Sequence, residues 1–357
     1  MQSPLPSVEK KMVKSVKGWP SWIGYAAIIW SVLYGFLQLY WLLGGDGYPF
    51  KNEESMGLFV GMITYLSPQA GGITFVTLCL LGIGIGIVMQ KNSKRFLPRW
   101  LVLVYAWGLA ASLILFVPDM TLLAMMAYAF MLKFAFNWTM FNQIICIIGA
   151  ILWFFTGVIY LRKTSGACEY CGRTETGKVP FLVRWGSWIT IIAAIAPLLY
   201  ALSRFAWALN IPFGVDKQFF KDLSTINPGH HLTEWVFGSL CIMGGILTLG
   251  LIQKWGEIFP DWFPFIGGKR VPILLAVIPA SIVSIAITSA GFVFTVGFIA
   301  VTLHLTSVDN ILVNNIWGTI GPMIFWIPWG VSLGLATIAY YYRRRDKCSK
   351  CSRGGRA

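Results

Sequence analysis

Charge is scarce in this chain. Only 12% of its 357 residues are Asp, Glu, Lys or Arg, against about 25% in an ordinary soluble domain. Acidic residues number 14 and histidines three. There is no Walker-type phosphate loop, no His-Glu-x-x-His, no Gly-x-Ser-x-Gly and no arginine ladder of the voltage-sensor kind. These absences argue against an ATP-driven pump or a standard intramembrane hydrolase on this chain. No small-residue cleavage site follows the first apolar run, so that run is expected to act as an uncleaved insertion signal.

What the chain has is apolar surface. Hydrophobic residues make up 57%, the mean hydropathy is +0.69, and there are 17 Trp. No soluble fold of this length has interior for so much apolar side chain, so a bilayer must solvate the rest. Trp suits the lipid–water boundary, where its apolar ring carries a polar edge.

A crossing helix needs roughly 20 mostly apolar residues. Eight stretches qualify, at about 20–43, 69–90, 98–118, 141–162, 186–209, 232–252, 271–294 and 320–342. Two shorter apolar pieces, 121–136 and 295–308, read as interfacial or re-entrant. Lys and Arg outnumber the acids 28 to 14, giving a net charge of +14. Five basic groups (Lys10–Lys17, Lys91–Arg99, Arg162–Arg184, Lys254–Arg270 and Arg343–Arg356) hold 23 of the 28. With eight crossings all five fall on one face, which the positive-inside rule makes cytoplasmic, with both termini inside. This pattern of short basic loops points away from a nucleic-acid partner and towards anionic inner-leaflet lipids.

The chain repeats itself. At a shift of 166, Trp19-Pro-Ser21-Trp22-Ile23 falls on Trp185-Gly-Ser187-Trp188-Ile189, and Tyr34 and Trp41 fall on Tyr200 and Trp207. At a shift of 162, Cys79 meets Cys241. Each half ends in a helix, a basic cluster and Cys-x-x-Cys. The expected fold is an all-α membrane protein of about eight transmembrane helices in two parallel four-helix repeats. Residues 1–162 and 185–343 are the repeats, 163–184 a cytoplasmic linker and 344–357 a cytoplasmic tail.

Both cysteine pairs, Cys168/Cys171 and Cys348/Cys351, are zinc-knuckle-like: a two-residue gap lets both thiolates face one tetrahedral ion. Together they supply four ligands for a shared zinc. A redox pair, or tail cysteines without a role, are the other readings. Cys79, Cys146 and Cys241 lie mid-helix and read as small apolar packers.

The second half carries polar residues that the first lacks. Asn227 and Pro228 look like a helix cap and first turn. His230 and Glu234 are four apart and share a helix face. With Arg204, His231, His304 and Asp309 they are candidates for a substrate or ion site, since ionisable groups inside membranes are costly. The plainer reading is that Arg204 snorkels to headgroups and the others are interfacial.

The Trp-x-Ser-Trp starts, the stretch from Pro197 to Trp207 and the Phe-Pro-Asp-Trp…Gly-Lys-Arg-Val-Pro loop at 259–272 resemble a family of uncharacterised bacterial multipass membrane proteins. The resemblance is clearest over about 185–290. It implies a bacterial inner-membrane location and transfers no catalytic residue. The sequence thus leaves three functions open. The first is a secondary transporter or permease-like protein with a site between the repeats. The second is a membrane regulator or a stress or immunity component with a metal- or redox-responsive cysteine cluster. A membrane-embedded enzyme using His230, Glu234 and His304 ranks last.

Overall fold

A computed structural model of the chain describes residues 18–50, 67–91, 97–118, 138–174, 181–226, 229–304 and 310–353. It is an all-helical membrane protein. In chain order the helices are α1 (Trp19–Leu42), α2 (Pro68–Lys91), α3 (Arg99–Leu115), α4 (Trp138–Thr164), α5 (Phe181–Ala208), α6 (Lys217–Ile226), α7 (His230–Leu249), α8 (Ile273–Thr302), α9 (Asn310–Thr319) and α10 (Trp326–Arg344). Among the described residues there is no strand, only an isolated bridge between Ile258 and Arg270.

Proline sets several helix starts, because its missing N–H is unpaired there anyway. Pro20 lies in the first turn of α1, Pro68 opens α2, and Pro98 and Pro272 precede α3 and α8. Lys91, Arg162 and Arg343 lie in the last turns of α2, α4 and α10, where the negative helix end favours a cation.

Among the described residues, seven helical segments are long and apolar enough to cross a membrane. The eighth expected crossing is α3, with 17 residues. At 1.5 Å per residue it spans about 26 Å, short of a hydrocarbon core of about 30 Å. The expected interfacial piece at 295–308 is also corrected. Through Thr302 it is the continuation of α8, which has 30 residues and no proline after Pro279. The expected piece at 121–136 lies outside the described residues, as do Asn227 and Pro228. Helix α7 is capped instead by Gly229 and begins at His230.

Within residues 19–164, α1 packs on α2 and α4, and α3 packs on α4. Within residues 181–344, α5 packs on α7 and α10, and α8 packs on α10. Small residues permit the close approaches. Added side-chain carbons at Gly82 and Gly86 would collide with the Tyr105 hydroxyl and Ile28 respectively, whereas Gly84, on the other face of α2, meets nothing. The first half has one large core around Trp30, Tyr34, Phe75, Cys79 and Trp153. The second has two smaller clusters, one around Ala193, Leu333 and Tyr340, the other around Phe294, Ile316 and Ile320. Outward faces carry Leu33, Phe36, Leu202 and Leu232, each largely exposed, as lipid-facing positions should be. The two sets of helices meet where α3 touches α8, with Phe116 and Phe292 edge to face at 5.2 Å.

Candidate functional site

Helices α4 and α10 end in basic turns and lead directly into the two Cys-x-x-Cys segments. In the first, the Cys168 N–H donates to the Arg173 carbonyl (3.1 Å) and the Gly172 N–H donates to the Cys168 carbonyl (2.7 Å). The second repeats this: Cys348 to Arg353 (3.1 Å) and Ser352 to Cys348 (2.9 Å). Both turns pass through a left-handed residue, Gly172 at φ 68° and Ser352 at φ 54°. Glycine adopts that conformation without steric cost, serine at some cost.

The two knuckles close on each other. The sulfurs of Cys168, Cys171, Cys348 and Cys351 all lie within 4.8 Å of one another, with Cys171 and Cys351 at 3.5 Å. Tetrahedral zinc with bonds of about 2.3 Å places its sulfurs about 3.8 Å apart, so the arrangement fits a shared ion. Donors to the backbone cross between the knuckles. Arg173 donates to the Arg353 carbonyl (2.6 Å) and Arg353 to the Arg173 carbonyl (3.3 Å). Arg345 donates to the Cys171 carbonyl. Arg162 holds the carbonyls of Glu169 (2.8 Å) and Tyr170 (3.1 Å) and reaches the Tyr342 hydroxyl (3.3 Å).

Burial, backbone amides and the neighbouring thiols set the thiol acidities. Burial pushes the Cys171 thiol up to about 12. Burial also disfavours the Cys348 thiolate, but the amides of Cys351 and Lys350 and the nearby thiols outweigh it, bringing that thiol down to about 6. Cys168 is lowered by the amides of Cys171 and Tyr170, against its own burial. Four thiolates around one divalent ion carry a charge of −2, and Arg162, Arg173, Arg345 and Arg353 supply compensating cations. The cluster can hold a soft metal in a closed shell, with no open position for a substrate.

The polar candidates of the second half divide into two places. Arg204 Nη1 lies 3.3 Å from Glu234 Oε2, tying α5 to α7; the residues are 6% and 8% exposed. The guanidinium carbon sits 4.3 Å from the Trp207 ring and 4.9 Å from the Tyr200 ring, which favours a cation held in an apolar setting. His230, one turn before Glu234, is buried against the Phe220 ring of α6 (5.6 Å) and the His231 ring (3.8 Å). His231 Nδ1 lies 3.2 Å from the Ala208 carbonyl. His304 is elsewhere, exposed in the turn after α8 at φ 53°. Asp309 lies outside the described residues. Among the described residues, the four cysteines are the one group of His, Cys, Asp and Glu with ligand atoms close enough to hold a metal. His230, Glu234 and His304 form no such group.

A buried network in the first half escaped the sequence reading. Gln38 donates to the Tyr34 hydroxyl (2.9 Å), which donates to Asn142 (3.2 Å) and accepts from Cys146 (3.1 Å). Its signal was present in the repeat, where Tyr34 and Gln38 fall on Tyr200 and Arg204. A crevice no larger than about one water also lies in this half, lined by residues of α1, α2 and α4 including Gly24, Gln90 and Thr156; neither Arg204 nor Glu234 borders it. No family model, no curated protein and no solved structure matches the chain.

Proposed function

We propose that this is a bacterial inner-membrane protein of two parallel four-helix repeats, clasped at their cytoplasmic face by one zinc ion. Cys168 and Cys171 come from the end of the first repeat, Cys348 and Cys351 from the end of the second. The observation that carries this reading is the approach of all four sulfurs to within 4.8 Å, with each half contributing two. Further support comes from the chain offset. Cys171 with Cys351, Arg173 with Arg353 and Arg162 with Tyr342 are each 180 residues apart. The contacts of α3 with α8 also join helices of equivalent rank. A pseudo-two-fold axis along the membrane normal accounts for both.

The closed thiolate shell suits a scaffold or a responsive joint, not a catalytic ion. The transport reading rests on Arg204 and Glu234, a buried charge pair kept in one repeat only, which would form the substrate or ion site of a permease-like activity. The rival is a regulator in which metal occupancy of the clasp is itself the signal.

Metal analysis of the purified protein tests the clasp. One zinc per chain is expected, falling towards zero when either Cys171 or Cys351 is replaced by Ser; protein without stoichiometric metal rejects it. For the transport reading, Glu234→Cys should react with a membrane-impermeant thiol reagent from the face opposite the clasp. A cysteine there that stays unreactive in folded protein favours the regulator.

A further inference from the structure

The segment joining α7 to α8 reads Lys-Trp-Gly-Glu-Ile-Phe-Pro-Asp-Trp-Phe-Pro-Phe-Ile-Gly-Gly-Lys-Arg over 254–270. Five of its seventeen residues are aromatic, a composition that would collapse inward in an aqueous loop. Instead it is held open. Phe259 and Lys269 pair through the backbone at 2.9 Å, Gly268 donates to the Phe259 carbonyl at 3.0 Å, and Val271 donates to the Glu257 carbonyl at 3.0 Å. From below, the Tyr340 hydroxyl (2.7 Å) and Arg344 (2.9 Å) both donate to the Gly256 carbonyl, and Arg344 also reaches the Val271 carbonyl at 3.1 Å. The platform is therefore rigid and anchored to the last crossing helix.

On this platform Phe265 is 95% exposed and Trp262 77%. Phe265 is also in the left-handed region, at φ 67°. A bulky residue there is strained, and an exposed ring gains little packing from its own chain to offset that strain. Strain kept without internal reward points to a use outside the chain.

We infer that residues 254–270 form a rigid wedge that seats Trp262, Phe263 and Phe265 in the anionic lipid leaflet around α7 and α8. Two observations select lipid as the occupant. The segment connects two helices of membrane-crossing length and composition, so it lies at the bilayer surface. Its exposed cations, Lys254, Lys269 and Arg270, flank the aromatic tip, while Glu257 is engaged by Arg343 at 3.9 Å, leaving Asp261 as its one other acid. Aromatic rings at headgroup depth flanked by cations match an anionic interface. The wedge does not depend on whether the clasp holds zinc.

Photocrosslinking of the full-length protein tests the inference. Phe265→p-benzoylphenylalanine, reconstituted in vesicles containing phosphatidylglycerol and irradiated, should give lipid adducts at 265 at least tenfold above Lys347→p-benzoylphenylalanine. Adducts to another protein chain in native membranes, or a lipid yield no higher than at 347, would overturn it. Phe265→Gly supplies a second readout. Glycine relieves the left-handed strain, so the thermal midpoint in detergent should hold or rise, while co-purified phosphatidylglycerol falls. A lower midpoint would mean that the ring packs within the protein, which would also overturn the wedge.

Discussion

The two halves use the same helix pairings around different polar centres. In the first, the buried polar groups are neutral: Gln38, Asn142 and Cys146 all hydrogen-bond to the Tyr34 hydroxyl. In the second, Arg204 stands where the first half has Gln38. Glu234 corresponds, at the shift of 162, to Gly72, where an added side-chain carbon would meet the Leu42 side chain at 2.9 Å. A neutral network shows that the scaffold closes without charge. An ion pair in the same place is thus an addition, and buried pairs are poor stabilisers because desolvation consumes much of their attraction. The difference is why the transport proposal looks to the second half.

The comparison can be broken or sharpened by experiment. The largest effect should come from the clasp, which both halves share. If the four cysteines hold zinc as proposed, chelation should remove about 4 kcal/mol where the ion is present at a thousandfold over its dissociation constant, seen as a fall in thermal midpoint that added zinc reverses. Next, Glu234→Gln should cost about 3–5 kcal/mol, since it strands Arg204. Adding Arg204→Gln, which copies the neutral chemistry of the first half, should recover most of that loss in the same unfolding assay. If the single change is silent, the halves do not differ in the way described. Gln38→Leu in the first half should cost less, about 1 kcal/mol, for one lost neutral hydrogen bond.

The smallest effects concern the knuckles. Ser352→Gly should stabilise by about 0.5–1 kcal/mol by relieving a left-handed serine, whereas Gly172→Ala should destabilise, because its new methyl meets Arg162 Nε at 2.9 Å. In metal-free protein at neutral pH, mass spectrometry should find Cys348 alkylated before Cys171. A thiol near 6 is mostly thiolate there and one near 12 is not; the Cys348 advantage should vanish as pH falls below about 6.

Helices and knuckles were legible in the sequence for physical reasons. Runs of 20 apolar residues have one solution in lipid, and Cys-x-x-Cys spacing brings two sulfurs to one side of a turn. Helix ends were less legible. The short span of α3 and the long run of α8 depend on where backbone hydrogen bonding stops, and apolar composition changes little across those points. Arg204 and Glu234 could be placed near one surface from their positions in neighbouring helices, but their pairing needed the α5–α7 crossing. The arginines around the clasp had a signal that went unused: both knuckles read Cys-x-x-Cys-small-Arg. Nothing local announces that Phe265 is left-handed.

A metal held by the four cysteines would also limit which movements are open to the molecule. Arg99 reaches the Leu161 carbonyl at 3.5 Å, so the start of α3 lies beside the end of α4 and the knuckles, and Phe116 lies at the far end. Two bodies pinned at one end behave like a clothes peg. With a metal bound as proposed, rocking between the halves would pivot near the four sulfurs and act on the Phe116–Phe292 contact at 5.2 Å.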